Sequence, residues 1–235
     1  MDHAHKLHSI WDELEKGNEE AIHEARKLTR KAQADLRAVG ASRKTQKPWK
    51  KLRQTIAPIR DLDVTLSNLK KLLKDLHADA VTLELLGLHY QTLRLRMWSE
   101  VRLPARPKGV ADADPEQVKE TLQEDWAALK KEARKVLKSD DATAWHSWRK
   151  HLKRYRYTWE ILAEAPTALV DLLGHLGNMQ DMEVLKAELQ GAPEFLHPYL
   201  PELQELLNQQ HQEEQQRAVS VWQEWSNTHA VLIES

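Results

Sequence analysis

The sequence predicts an all-α fold, and three observations support that prediction. Only 7 Gly and 9 Pro occur among the 235 residues. Leu, Ala, Glu, Lys, Gln and Arg are frequent, a composition typical of long helices. Apolar side chains recur at helical spacing along nearly the whole chain. We therefore expect helices throughout and no β-sheet.

Turn residues divide the helical pattern into ten segments. We predict helices at residues 3–16, 19–39, 48–60, 61–77, 79–103, 115–138, 142–164, 166–178, 181–190 and 199–232. Pro48 and Pro115 are placed in first turns, where the missing amide is tolerated. Gly17, Gly40 and Gly191 fall at or just beyond predicted helix ends, a position that glycine favours.

The segment 104–114 separates two related halves. It contains two prolines and a glycine and lacks helical periodicity, so we expect it to be a linker. Repeat one then covers about residues 5–103 and repeat two about residues 115–232, within a single domain over 1–235.

An internal repeat supports this division. The pattern H-x-x-R-K-x-x-[KR]-[KR] begins at His23 and again at His146, and similarity resumes at residues 59–64 and 179–184. Within those later stretches, Asp61 and Asp181 are predicted to be N-caps of the helices that follow. Asp63 and Glu183 would then lie in the first turns of those helices.

Charge is strongly segregated although the net charge is only −1. Residues 26–60 carry 12 Lys or Arg and one acid, and residues 145–156 carry five basic residues and no acid. The rest of the chain holds 18 of the 35 basic residues and 35 of the 36 acidic ones. At 100° per residue the motif cations share one helix face opposite an apolar face. Such surfaces favour an anionic partner.

The composition also excludes several classes of site. There is no Cys, so disulfides and Cys-ligated zinc are excluded. The N-terminal residues lack the apolar core of a signal peptide, and no stretch of about 18 apolar residues occurs, so we expect a cytoplasmic protein that does not span a membrane. Three nearby histidines, His3, His5 and His8, lack carboxylates at ligand spacing, so no metal site and no cofactor are predicted.

Aromatic residues distinguish between possible anions. Trp148, Tyr155 and Trp159 fall on the apolar side of the second motif helix, where core packing is expected. A nucleic-acid module would place aromatic rings among its basic residues to stack on bases. The basic faces carry almost none, which favours an anion without bases over RNA or DNA.

Together the two motifs and the later Arg60-Asp61-Leu62-Asp63 segment resemble the CHAD family, an α-helical domain named for its histidines. The resemblance spans about residues 5–232. It implies two pseudo-symmetric four-helix bundles that face each other across a basic cleft, and binding of inorganic polyphosphate, in some members on polyphosphate granules. In repeat two, Gln180 stands where repeat one has Arg60, and Glu183 where it has Asp63, which implies fewer phosphate contacts there.

The predicted polyphosphate-binding residues come from both repeats. They are His23, Arg26, Lys27, Arg30, Lys31, Arg37, Lys47, Lys50, Arg53, Arg60, His146, Arg149, Lys150, Lys153, Arg154 and Arg156. Whether the two motif histidines contact the ligand or only support the fold stays open at this point. Other polyanions, RNA or DNA included, remain alternatives.

A metal-dependent phosphohydrolase is the weakest alternative. The sequence contains no P-loop, no H-E-x-x-H motif and no E-x-E-x-K motif of the triphosphate-processing domains that accompany some family members. We therefore expect no catalytic residues and no enzymatic activity.

Overall fold

Helix formation follows the sequence pattern closely. The computed structural model describes residues 3–109 and 113–233, with side chains to residue 228. Within these residues the chain forms α1 (His3–Ser9), α2 (Trp11–Glu15), α3 (Glu19–Ala38), α4 (Arg43–Asp75), α5 (Ala80–Glu100), α6 (Pro115–Val136), α7 (Ala142–Trp159), α8 (Thr167–Leu189), a 3-10 helix (Glu194–Tyr199) and α9 (Leu200–Ile233). The described residues contain no strand, which confirms the all-α prediction.

Five helices begin at a side chain that caps the backbone. The side chains of Asn18, Ser42, Asp79, Asp114 and Asp141 each accept a hydrogen bond from a first-turn amide of α3 to α7 in that order. Such caps satisfy amides that have no partner within the helix. The predicted placement of Pro115 in the first turn of α6 is confirmed.

The N-caps predicted at Asp61 and Asp181 are wrong, because α4 and α8 continue through these residues. The four segments predicted there are two long helices, and Pro48 lies inside α4, which begins at Arg43. An interior aspartate lowers helix stability by only a few tenths of a kcal/mol, and the buried apolar stripe of each helix outweighs that cost. Asp63 is likewise in mid-helix, buried, and paired with Arg94 at 2.7 Å.

Three hydrophobic clusters hold the helices together. One lies among α1 to α4 and includes Trp11, Leu36 and Trp49. A second lies among α6 to α9 and includes Trp148 and Trp222. The third joins the two halves, because it combines side chains of α4 and α5 with those of α8, α9 and the 3-10 helix.

The two motif helices, α3 and α7, pack against each other. Their apolar faces point away into separate clusters, with Leu28 at 3% exposure on α3 and Leu152 at 0% on α7. The predicted core role of Trp148 and Tyr155 is confirmed, since both are fully buried. Because the apolar sides are buried elsewhere, the basic sides of α3 and α7 are left at the contact between the halves.

Candidate functional site

Five cations from three helices come together where the halves meet. This central basic cluster consists of Arg26 and Arg30 on α3, Arg53 on α4, and Arg149 and Lys153 on α7. Burial lowers the pKa of both Lys153 and Arg53, and Arg30 and Arg26 lower both pKa values further, as expected for cations that lie close together. The structure therefore brings cations of both motif helices close enough to repel each other.

Most of this charge is not compensated by protein groups. Arg26 donates to the Asp61 carboxylate at 2.8 Å and to the Ala57 carbonyl at 2.9 Å. The other four members, Arg30, Arg53, Arg149 and Lys153, form no hydrogen bond or ion pair with another side chain or carbonyl in the described part of the chain; the Arg149 Nε is also buried. Unpaired, partly buried cations are costly, so the site is suited to receive an anion.

Burial and like charges act together on Lys153. Burial, followed by Arg149 and Arg30, lowers the pKa of Lys153 to about 7. Burial also lowers the pKa of Arg149, although a guanidinium stays charged at neutral pH. Lys153 is therefore charged in only part of the molecules at pH 7, and an anion would favour its charged form.

Three further residues lie at the cluster that the sequence analysis did not assign to it. Asp181 on α8 interacts with Arg149 and Lys153, and the Asn68 side chain on α4 hydrogen-bonds to it. Tyr157 on α7 lies near Arg53 and Arg149. Tyr157 could have been found, since it follows Lys153 by one helical turn on the same face. Asp181 was not predicted to lie at the site because it was interpreted as the N-cap of a separate helix.

Two predicted site residues are engaged by a buried acid instead. Arg37 of α3 donates two hydrogen bonds to Asp125 of α6 at 2.6 and 2.7 Å, and Arg154 of α7 donates a third at 2.9 Å. Asp125 is only 5% exposed. These groups connect the two halves and are satisfied without a ligand.

Lys31 and Arg156 are engaged in the same way by Glu160, which follows α7. Lys31 of α3 lies 3.3 Å from the Glu160 carboxylate, and Arg156 donates to it at 2.7 Å. We call the pairs made by Asp125 and Glu160 the seam ion pairs. Four of the sixteen predicted cleft residues are therefore engaged by these two acids: Lys31 and Arg37 pair with them across the halves, and Arg154 and Arg156 pair with them within the second half.

Comparisons with known proteins identify the family and the fold. The family model of the CHAD domain matches residues 2–173. The chain belongs to the CHAD family. Among solved structures, PptA from Streptomyces chartreusis shares the fold of this CHAD chain with a TM-score of 0.70 and 16% identity, over 94% of this chain and 95% of PptA. No curated protein sequence matches.

The CHAD histidines lie at the edge of the central basic cluster. His146 hydrogen-bonds through Nδ1 to the Gln180 side chain, whereas His23 is exposed. Burial, helped by nearby cations, lowers the pKa of both imidazoles, so they are mainly neutral at pH 7. Neutral His23 can donate one hydrogen bond to an oxyanion, whereas the single N–H of neutral His146 is already donated to the Gln180 oxygen, and neither ring adds much charge.

The remaining predicted residues of the CHAD chain lie further out. Lys47, Lys50 and Lys150 are exposed. Lys27 pairs with Glu24 at 3.4 Å, and Arg60 with Glu19 at 3.5 Å. The exposed Lys27 pair is weak and leaves that cation accessible to a long ligand, whereas the Arg60 side chain is only 24% exposed.

Neither a metal centre nor a membrane helix is found in the described residues. No three His, Asp or Glu side chains there come together as a metal site, and His3 instead pairs with Asp35 at 2.9 Å. None of the described helices is both long enough and apolar enough to cross a bilayer.

Proposed function

We propose that this CHAD chain binds inorganic polyphosphate, without cleaving it, across the central basic cluster. The observation that carries the proposal is that four cations from both repeats converge without a direct ion pair or hydrogen bond among the described residues. Guanidinium groups bind phosphate oxygens in pairs, and a linear polymer with a charge on each phosphate can neutralise several cations at once. The polyphosphate ligand itself is implied by the family.

The aromatic residues favour an anion without bases. The rings of Trp145, Trp148, Trp222 and Trp225 are buried in the second hydrophobic cluster and offer no stacking face to a base. Tyr157 is the aromatic residue that interacts with members of the basic cluster. Binding of single-stranded RNA with equal affinity would contradict the choice of polyphosphate.

The salt dependence of binding tests the proposal directly. Binding to a polyanion releases counterions, so we expect log K to fall linearly with log salt, by roughly 0.7–0.9 for each phosphate neutralised if the relation found for nucleic acids applies. Arg149→Ala or Arg30→Ala should each weaken binding by about 1–3 kcal/mol and make the slope shallower by about one contact. Isothermal titration calorimetry at several salt concentrations measures both quantities.

A matched control is available on α9. Arg217 is 58% exposed and pairs with Glu213 and Glu214, so Arg217→Ala removes the same charge away from the cluster. We expect its affinity and slope to equal those of the parent. If Arg217→Ala and Arg149→Ala lost equal affinity, polyphosphate would bind through general attraction between opposite charges and not at the central basic cluster. Long-chain polyphosphate, single-stranded RNA and heparin should be compared at one ionic strength.

We also propose that the chain does not turn over its ligand. Phosphoryl transfer needs a metal held by carboxylates or an activated nucleophile beside the phosphate. The acids at the cluster, Asp61 and Asp181, are engaged by Arg26 and Asn68. Polyphosphate incubated with the protein and Mg²⁺ or Mn²⁺ should keep its length on a gel. Steady orthophosphate release, abolished by Asp181→Asn, would overturn this proposal.

A further inference from the structure

An acidic side chain lies within the surface that is proposed to bind an anion. Asp181 is half-buried in the middle of α8 and interacts with Arg149 and Lys153 of α7. Neither cation lies within ion-pair distance of an acid in the described chain, Asp181 included, and Asp61 pairs with Arg26 instead. Asp181 is therefore the acid whose charge acts on two cations that the ligand would need.

Packing keeps Arg149 close to this acid. Gly177 precedes Asp181 by one turn of α8, and a Cβ atom added at Gly177 would lie 3.3 Å from the Arg149 Nη2. The missing side chain lets the guanidinium lie against the backbone of α8, and its buried Nε has no partner among the described groups. An anion that reaches Arg149 must therefore approach the Asp181 carboxylate as well.

We propose that Asp181 is an internal counterion that opposes the incoming phosphate chain and so limits affinity and determines how binding depends on pH. This inference rests on the proposed function. Without a ligand, the carboxylate partly offsets the repulsion between Arg149 and Lys153. With a ligand, the same carboxylate repels the phosphates and speeds their release.

The charged groups around Lys153 and Asp181 determine whether the affinity for polyphosphate rises or falls with pH. Lys153 is next to Arg26 and Arg30 of α3, to Arg149 of α7 and to Asp181 of α8. Asp181 also faces Asp61 and Asn68 of α4. Since the pKa of Lys153 is about 7, affinity should fall as pH rises above 7, because the ligand binds the protonated amine. Asp181 raises the pKa of Lys153, so its removal moves this fall to lower pH.

Asp181→Asn tests the inference against Asp171→Asn, a matched change at an exposed acid of the same helix. Affinity for long-chain polyphosphate should be measured by calorimetry between pH 6 and 9 at fixed salt. At the acid end of this range Asp181→Asn should bind about tenfold more tightly than the parent, corresponding to about 1.4 kcal/mol. Its affinity should begin to fall at a lower pH, while Asp171→Asn follows the parent.

The outcomes separate this inference from the proposed function. If Asp181→Asn binds as the parent does, or more weakly with a full thermal transition, the counterion role is wrong although polyphosphate binding stands. If Arg149→Ala binds as tightly as the parent, the proposed site itself fails. Asp181→Glu, which keeps the charge, should retain the parent's pH profile, and a profile like that of Asp181→Asn would also overturn the role.

Discussion

Changing Arg30, Arg53, Arg149 and Lys153 together to alanine should nearly abolish polyphosphate binding and leave the protein folded. If each side chain contributes only about 1 kcal/mol, the affinity falls about a thousandfold. None of these four forms a direct ion pair in the described chain, although Asp181 interacts with Arg149 and Lys153 at longer range, so their loss breaks no native ion pair. Removing mutual repulsion should raise the melting temperature of the ligand-free protein.

A control variant distinguishes this site from net charge. Lys71, Lys74, Lys131 and Lys135 are exposed on α4 and α6, away from the seam between α3 and α7. Their fourfold change to alanine removes at least as much positive charge as the cluster variant loses, and we expect it to retain most of the affinity. Calorimetry and circular dichroism on both variants provide the comparison. If the cluster variant is folded and binds like the parent, the site lies elsewhere.

Asp125→Asn should produce the largest loss of stability. Asp125 accepts three hydrogen bonds, and the neutral amide leaves Arg37 across the seam and Arg154 on the neighbouring α7 without that carboxylate. Breaking a buried pair at one partner costs about 3–5 kcal/mol, and the low end applies because both arginines are partly exposed. About 3 kcal/mol corresponds to a fall of roughly 6–12 °C in melting temperature for a chain of this size.

Thermal unfolding monitored by circular dichroism measures this effect, and Asp171→Asn serves again as the exposed comparison. The affinity of the folded Asp125→Asn protein for polyphosphate should change much less than that of the cluster variant. An unchanged melting temperature would mean that the seam pair contributes nothing net to stability. A thousandfold loss of affinity in a folded protein would return Arg37 and Arg154 to the binding site.

The helices and their faces could be predicted because helical periodicity is a local property. The burial of Leu28 and Leu152 follows from the helical spacing of apolar residues. The same spacing places Arg149 and Lys153 on one helix face. The partners of the cations could not be predicted in this way. Asp125 lies 88 residues from Arg37 along the chain, and nothing in the local pattern links them.

The interpretation of Asp61 and Asp181 as N-caps failed for a related reason. A capping residue and an interior aspartate look alike in sequence when no glycine or proline marks a break beside them. Packing decides between them: Ile59 and Leu69 on α4, and Met179 and Leu185 on α8, are buried on either side of the aspartate. The continuous apolar stripe keeps each helix intact, and this stripe is visible only once its neighbours are known.

The third hydrophobic cluster means that the internal repeat is not modular. Leu72 and Leu86 of the first half share one core with Leu185 and Leu203 of the second. A half separated at the linker would expose its portion of that core to water and lose the apolar contacts that close it. Each half therefore depends on the other, because loss of either half removes apolar side chains that complete the other's interior.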